Sequence, residues 1–264
     1  MSSRNLAYTI AFDPPGDARH RALAKMLTSS LLKTYFDGDI LVFRNTEAPL
    51  FLVERKGLEE IYIETPEVPE AGWADLAMRW KYLAADRIET GRYDKILFLD
   101  CDCLALRNID HLLQGEWDIA CQPEKGISIS CPQFSAFLTD GEMGEWRRDG
   151  INSGTWAVRG SKFHEVMRQW ARIDSSLALR GRRASDQPAW NRLLLDTDLR
   201  VESFPDGEIQ FPMFQHPRFP AYHKAALTHN LGGTLTEKVH FTFGLYMQSF
   251  YCDPSALFLQ FLDV

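Results

Sequence analysis

Two aspartates, Asp100 and Asp102, close the apolar run Lys95-Ile-Leu-Phe-Leu. Side chains alternate between faces along an extended chain. Asp100 and Asp102 are therefore expected on one side, with Cys101 and Cys103 on the other, facing the core. Paired carboxylates at the end of a buried strand make a hard oxygen site. Such a site suits Mn²⁺ or Mg²⁺, ions that often bridge to a diphosphate. Without a cation the two acids would repel each other. The plain alternative is an acidic exit from a strand into a turn, where Asp is common.

Three further segments carry polar residues in suggestive order. Gly150-Ile-Asn152-Ser153-Gly154 reads either as a turn entering a strand or as an amide with close backbone approach, suited to sugar hydroxyls. Ser185-Asp186-Gln187-Pro188 opens a helix, where an acidic residue in the first turn is favourable in its own right. Just before it, Arg180-Gly-Arg182-Arg183 is a basic loop, either solvated or reaching a phosphate or acceptor. Arg79 and Lys81 flank Trp80 and miss the apolar face of their helix, so both are expected at the surface. His229 and His240 each lie near glycines, and one of them is a candidate third ligand for the Asp100–Asp102 site.

The elements that would position these groups alternate between strands and helices. Leu6–Phe12 reads as a buried strand, ended by Asp13-Pro-Pro-Gly16. Residues 18–34 have helical spacing, and Asp39–Phe43 is a second strand. Residues 75–88 read as a helix burying Leu76, Trp80, Leu83, Ala84 and Ile88. Lys95–Leu99 is apolar without alternation, as in a strand covered on both faces. Trp117–Cys121 and Thr155–Val158 read as strands. Ser161–Ile173 reads as a helix capped by Ser161, and Ser185–Leu195 as another, with Pro188 where a helix tolerates it. The pattern predicts an α/β fold with a mainly parallel mixed central sheet flanked by helices, which would bind ligands at the carboxyl ends of its strands.

Composition bounds the function classes. The chain has 264 residues, 45% of them hydrophobic and 25% charged, with a formal charge of −7. That is ordinary for a globular protein. The acidic balance speaks against wrapping nucleic acid, and the longest apolar runs are too short to span a membrane. The start offers one basic residue and a short apolar stretch, too little for a signal peptide. A cytoplasmic location is expected, with peripheral attachment to a membrane as the alternative. Five cysteines, none in a CxxC pair, read as reduced core residues rather than a disulfide frame or zinc ribbon. The apolar segment Ala256–Leu262 is expected to pack on the core, or else to mark a partner or membrane contact.

Taken in order, these motifs resemble the retaining GT-A fold glycosyltransferases around family 8, the glycogenin and lipooligosaccharide galactosyltransferase group, and related nucleotide-diphospho-sugar transferases. The resemblance runs along most of the chain and implies one GT-A (Rossmann-like) domain over residues 1–264. Residues 1–125 would be mainly its nucleotide half, and 126–264 mainly its acceptor and sugar half. Arg79-Trp-Lys81 resembles the family's RxK helix, and Asp94–Asp102 its DKvLYLDxD strand. Asn152-Ser-Gly154 resembles its NsGv strand, and Asp186-Gln187 its DQ pair. His229, Gly233 and Lys238 resemble its C-terminal His–Gly–Lys segment. The family 8 ending HxxGxxKPW is absent as such, and Pro14-Pro15 replaces a polar or aromatic residue after the first strand.

The resemblance implies that Ala11, Phe12, Asp13, Arg79, Asp100, Cys101 and Lys238 contact the donor. It implies that Asp100, Asp102 and His229, with His240 as second choice, hold Mn²⁺ or Mg²⁺. Asn152, Asp186 and Gln187 would form the reaction centre. The implied reaction moves a sugar from a nucleoside diphosphate sugar, UDP-linked by resemblance, to an acceptor hydroxyl with retention. Either a covalent intermediate on Asp186 or Gln187, or front-face attack, would give that outcome. Three rival readings are a haloacid dehalogenase type phosphohydrolase, a nucleotidyltransferase and a non-catalytic sugar-binding module. The first would carry Thr or Val where Leu104 stands. The second would carry a Gly-rich basic signature after the first strand. The third would have no need of both acidic pairs.

Overall fold

The computed structural model describes residues 4–51, 55–66, 72–145, 148–178, 185–212 and 224–251. Strands β1 (Asn5–Ala11), β2 (Gly38–Arg44), β3 (Leu58–Tyr62) and β4 (Lys95–Leu99) form the parallel half of a seven-stranded sheet. β5 (Cys103–Ala105) leaves it. β6 (Ile119–Ser128) and β7 (Asp149–Arg159) return to it, and β8 (Val201–Ser203) closes the far edge. The order is β3-β2-β1-β4-β7-β6-β8, with β7 antiparallel to both of its neighbours. β5 joins β10 (Leu227–His229) and β9 (Ile209–Gln210) in a small second sheet. The helices are α1 (Arg19–Lys33), α2 (Trp73–Leu83), α3 (Pro132–Ser135), α4 (Asp140–Glu145), α5 (Phe163–Ala178), α6 (Gln187–Asp196) and α7 (Leu235–Phe250). The mixed α/β fold, with a mostly parallel central sheet flanked by helices, is the one the sequence predicts. Among the described residues no helix is long and apolar enough to cross a membrane.

Strand parity builds two cores. On one face Leu6, Tyr8, Ile96 and Phe98 meet Trp156, Trp170 and Trp190, under α2, α5 and α6. On the other, Ala7, Leu97 and Leu99 meet Leu27 and Leu31 of α1. Every residue of β1 and β4 is buried, which is why both read as continuous apolar runs.

Several boundaries differ from the sequence reading. α2 stops at Leu83 and gives way to a 3₁₀ turn over Ala84–Arg87; the buried residues of α2 are Trp73, Lys81 and Tyr82, and Leu83, expected in the core, is 39% exposed. A 3₁₀ turn over Gly160–Lys162 precedes α5, so Ser161 is not its cap. Asp186 is the N-cap of α6 rather than part of its first turn, and its side chain makes no capping bond. Trp117 lies just before β6. The Asn152-Ser-Gly154 segment is inside β7, not in a turn: Asn152 pairs with Gln122 of β6, and the Gly154 carbonyl accepts the Asp100 amide at the end of β4. Of the cysteines expected in the core, Cys103 and Cys121 are buried, while Cys101 and Cys131 are half-buried. Cys252, the loop Arg180–Arg183 and the segment Ala256–Leu262 lie outside the described residues.

Candidate active site

β4 ends where its pairing with β7 continues one step further, from the Asp100 amide to the Gly154 carbonyl at 2.8 Å. A tight turn follows, the Cys103 amide donating to the Asp100 carbonyl, and the chain leaves as β5. β5 runs against β10, which sets His229 opposite Cys103, while the Asn230 amide donates to the Asp102 carbonyl. Two sequence-distant strands thus bring Asp100, Asp102 and His229 to one point. His229 Nε2 stands 3.1 Å from Asp102 Oδ1 and 3.7 Å from Asp100 Oδ2. His240 is exposed on α7, away from this point.

The space between these groups is kept open by a glycine. A Cβ on Gly154 would lie 2.1 Å from Asp100 Oδ2 and 2.4 Å from His229 Cε1. His229 Nε2 and Asp102 Oδ1 are buried and, despite their proximity, form no aligned hydrogen bond. Buried polar atoms left in that state are costly. Two carboxylates and an imidazole converging on a gap fit a divalent cation. Ligand atoms of Asp102, Cys103 and His229 also lie within 4.8 Å of one another. Burial, however, pushes the Cys103 thiol well up, and its sulfur sits 3.6 Å from Thr155 Oγ1. A neutral thiol is a poor ligand, so Asp100 is the better third donor. Thr155 Oγ1 also lies 3.3 Å from His229 Nδ1 and so fixes the ring that presents Nε2.

Two lysines compensate the acids. Lys238 Nζ lies 2.6 Å from Asp102 Oδ2. It is held there by the first turn of α7, which a reciprocal capping box between Thr234 and Glu237 starts. Lys81 Nζ lies 3.1 Å from both Asp100 Oδ1 and Asp186 Oδ2. Burial works against both ammonium charges, yet the facing carboxylates hold both lysines above their ordinary range. Burial would raise Asp102, but His229 and Lys238 outweigh it and hold that carboxyl well below the usual range. The surface position expected for Lys81 is therefore corrected: at 6% exposure it is buried among acids.

The third group comes from β7 and α6. Cys121 faces Trp156 whereas Gln122 faces Asn152, so residues 153–155 bulge away from β6, with Thr155 still opposite Leu99 of β4 and the Gly154 carbonyl accepting the Asp100 amide. The bulge turns Asn152 and Ser153 inward. The Asn152 amide Nδ2 donates to Glu124 Oε1 at 2.7 Å and to Gln187 Oε1 at 3.1 Å. Ser153 Oγ donates to Asp186 Oδ1 at 3.1 Å. The Asn191 side chain clamps the Ile151 backbone from α6 at both its N–H and its C=O, which fixes Gln187 one turn earlier.

These groups line one cavity of about 500 Å³, which Asp100, Cys101, Asp102, Asn152, Asp186, Gln187 and Lys238 share with apolar Met78 and Leu235. Of the sequence-nominated residues, His229 is fully buried behind the lining, His240 is exposed elsewhere, and four more do not line the cavity. Ala11 and Phe12 are buried, with the Phe12 ring packed on Trp80. Asp13 accepts the His20 and Arg21 amides at the start of α1, beside a neighbouring depression with Asn45, Tyr62 and Trp73. Arg79 pairs with Asp75 at the surface. Sequence reasoning passed over Lys81, Glu124 and Gln133. The signal for Lys81 was its place in the Arg79-x-Lys81 motif. For Glu124 it was a polar residue ending an apolar strand.

No family model matches the chain. Over 167 residues it is 25% identical to an Arabidopsis thaliana protein named "Putative glucuronosyltransferase PGSIP7". The match covers 59% of this chain and 34% of that protein, so the similar region spans about a third of the relative's length.

Proposed function

We propose that this chain is a metal-dependent glycosyltransferase. It moves a sugar from a nucleoside diphosphate sugar, UDP-linked by resemblance, to an acceptor hydroxyl with retention. One observation carries the reading: Asp100, Asp102 and His229 converge on a gap kept open by Gly154, at the wall of a cavity whose other polar groups are amides, acids and lysines. The distant similarity to a protein named for glucuronosyl transfer supports the same class.

When bound, Mn²⁺ or Mg²⁺ on Asp100, Asp102 and His229 would stabilise the charge that builds on the diphosphate as the anomeric bond breaks. Lys238 adds a positive charge beside that place. Gln187 offers its amide nitrogen to sugar hydroxyls, with Asn152 holding it and Glu124 in place, and positioning of that kind lowers a barrier by several kcal/mol. Asp186 has one oxygen on Lys81 and the other on Ser153 Oγ, and it is 3% exposed. A carboxylate so engaged suits an orienting role better than a nucleophile's, which favours front-face attack over a covalent intermediate on Asp186. In this reading residues 1–125 serve mainly the nucleotide and residues 126–264 mainly the sugar and acceptor, with His229 and Lys238 crossing over.

The test is a thermal shift with UDP and GDP, with and without Mn²⁺, on the wild type and Asp102→Asn. Ligand at ~100 times its Kd stabilises by about 2.7 kcal/mol, a rise of several degrees for a chain of this size. A Mn²⁺-dependent rise with UDP that Asp102→Asn abolishes is expected. No rise with either nucleotide at saturation rejects the reading.

A further inference from the structure

We infer that Glu124, held by Gln133, sets the donor class to neutral hexoses and disfavours uronates; the inference rests on the transferase reading above. Charge is unevenly spread along the cavity. Both lysines that line it are at the metal end, Lys238 on Asp102 and Lys81 between Asp100 and Asp186. Beyond Asn152 the lining turns to Glu124, Gln133 and Gln187. Glu124 is 5% exposed, and both its oxygens are taken by amide donors, Asn152 Nδ2 at 2.7 Å and Gln133 Nε2 at 3.0 Å. Among the described residues no ion pair neutralises it.

A buried carboxylate with only amides around it sets a demand on the ligand. Sugar hydroxyls donate hydrogen bonds to such an oxygen, and the remaining amide atoms of Gln187 and Gln133 accept or donate in turn. A uronate carboxylate brings a second negative charge to the same end and finds no cation there among the described residues. Like charges facing each other in a closed site are strongly disfavoured, and rejection of this kind is a common route to specificity. The relative's printed name points to a glucuronosyl donor; the charge layout of this cavity points the other way.

The deciding experiment is calorimetric titration with UDP, UDP-glucose, UDP-galactose and UDP-glucuronate, each with Mn²⁺, on the wild type and on Glu124→Gln. The wild type is expected to bind at least one of the two hexose donors about tenfold or more tighter than UDP-glucuronate. Glu124→Gln should shrink that ratio several-fold, through stronger glucuronate binding. If UDP binds but glucuronate binds the wild type as tightly as either hexose, the inference fails and the transferase reading stands. A preference that Glu124→Gln leaves unchanged removes the role assigned to Glu124. If none of the four ligands binds, the transferase reading fails and takes this inference with it. The wild-type comparison decides the donor class even if the variant does not fold.

Discussion

The two ends of β4 hold buried charge on opposite terms. At its start Lys95 is 7% exposed; its ammonium donates to the Trp117 carbonyl at 2.8 Å and lies 3.5 Å above the Trp117 ring. Among the described residues no carboxylate comes within ion-pair distance of it. Burial dominates and pushes Lys95 down to about 8. At its finish, five residues on, Asp100 opens a cluster in which two lysines and a histidine face three acids. There the carboxylates hold the lysines above their ordinary range against the same penalty of burial. A lone buried lysine does the work of a polar anchor. A network of buried charges is a costly construction that stability alone does not require, and it stands where the strand's carboxyl end meets the cavity.

The largest effect should come from breaking that network at its centre. Lys81→Met leaves buried Asp186 without its cation and half-buried Asp100 without its nearest one, a loss of about 3–5 kcal/mol. Denaturant titration should show the loss, and saturating Mn²⁺ should recover part of it by supplying positive charge beside Asp100. A variant as stable as the wild type without added metal would mean that the acids do not depend on Lys81.

Gly154→Ala attacks the same end by volume rather than charge. The strand needs no glycine for its backbone here, so the whole effect comes from a Cβ aimed at Asp100 and His229. Misplacing catalytic groups by about 1 Å costs on the order of a hundredfold in rate, whereas overpacking costs about 1–3 kcal/mol in stability. Donor hydrolysis should therefore fall further than the melting point suggests. Loss of stability with hydrolysis intact would show that the gap serves packing alone.

The unequal ends of β4 also explain what the sequence could reveal. Lys95–Leu99 and β1 are legible because burial on both faces leaves an unbroken apolar run. Asp100 and Asp102 do meet one cavity, but so does Cys101, expected to face the core, because a turn and not an extended chain carries residues 100–103. Lys81 is not legible from helical spacing, because a charge beside an apolar face ordinarily means solvent. Only the acids delivered by β4 and α6 make it internal, and those contacts are remote in sequence. Asn152-Ser-Gly154 has the composition of a turn, yet it is strand: β6 pairs with Asn152 and the end of β4 bonds Gly154, with the bulge between them. Leu83 fits the apolar face of α2 by period, but the helix turns Lys81 and Tyr82 inward instead, to meet the acids and Asp174, and leaves Leu83 outside. The resemblance ranks His229 above His240 by its spacing to the glycines, and the β5–β10 register sets His229 opposite Cys103.

At the quiet end of β4, Lys95→Met should alter the shape of the pH profile more than stability at neutral pH. A lysine whose folded value lies near 8, against ~10.4 when unfolded, binds its proton more weakly in the folded state. Below 8 the native state carries that penalty in full. Between about 8 and 10.4 the unfolded chain holds more protons, so stability rises with pH as the penalty is relieved. Methionine abolishes the rise. Unfolding curves at pH 7 and pH 9.5 on both proteins check this, and an unchanged difference between the two pH values would remove Lys95 as its source.

The smallest effect is expected at Arg79, and it bears on how far resemblance can be carried onto single residues. The RxK resemblance brings Arg79 to the donor. In the structure its guanidinium lies 2.9 Å from Asp75, one helical turn earlier, and both side chains are well exposed. An exposed pair of this kind contributes a few tenths of a kcal/mol. Arg79→Ala should thus change stability by under about 0.5 kcal/mol and leave the Kd for UDP with Mn²⁺ within twofold. Lys81, two residues on, carries the motif's charge into the cluster instead. A tenfold weaker Kd for UDP in Arg79→Ala would reverse that assignment: the Asp75 pair would then be a resting contact that Arg79 leaves when the nucleotide arrives, and the Asp100–Asp102 end of the cavity would gain a third cation on binding.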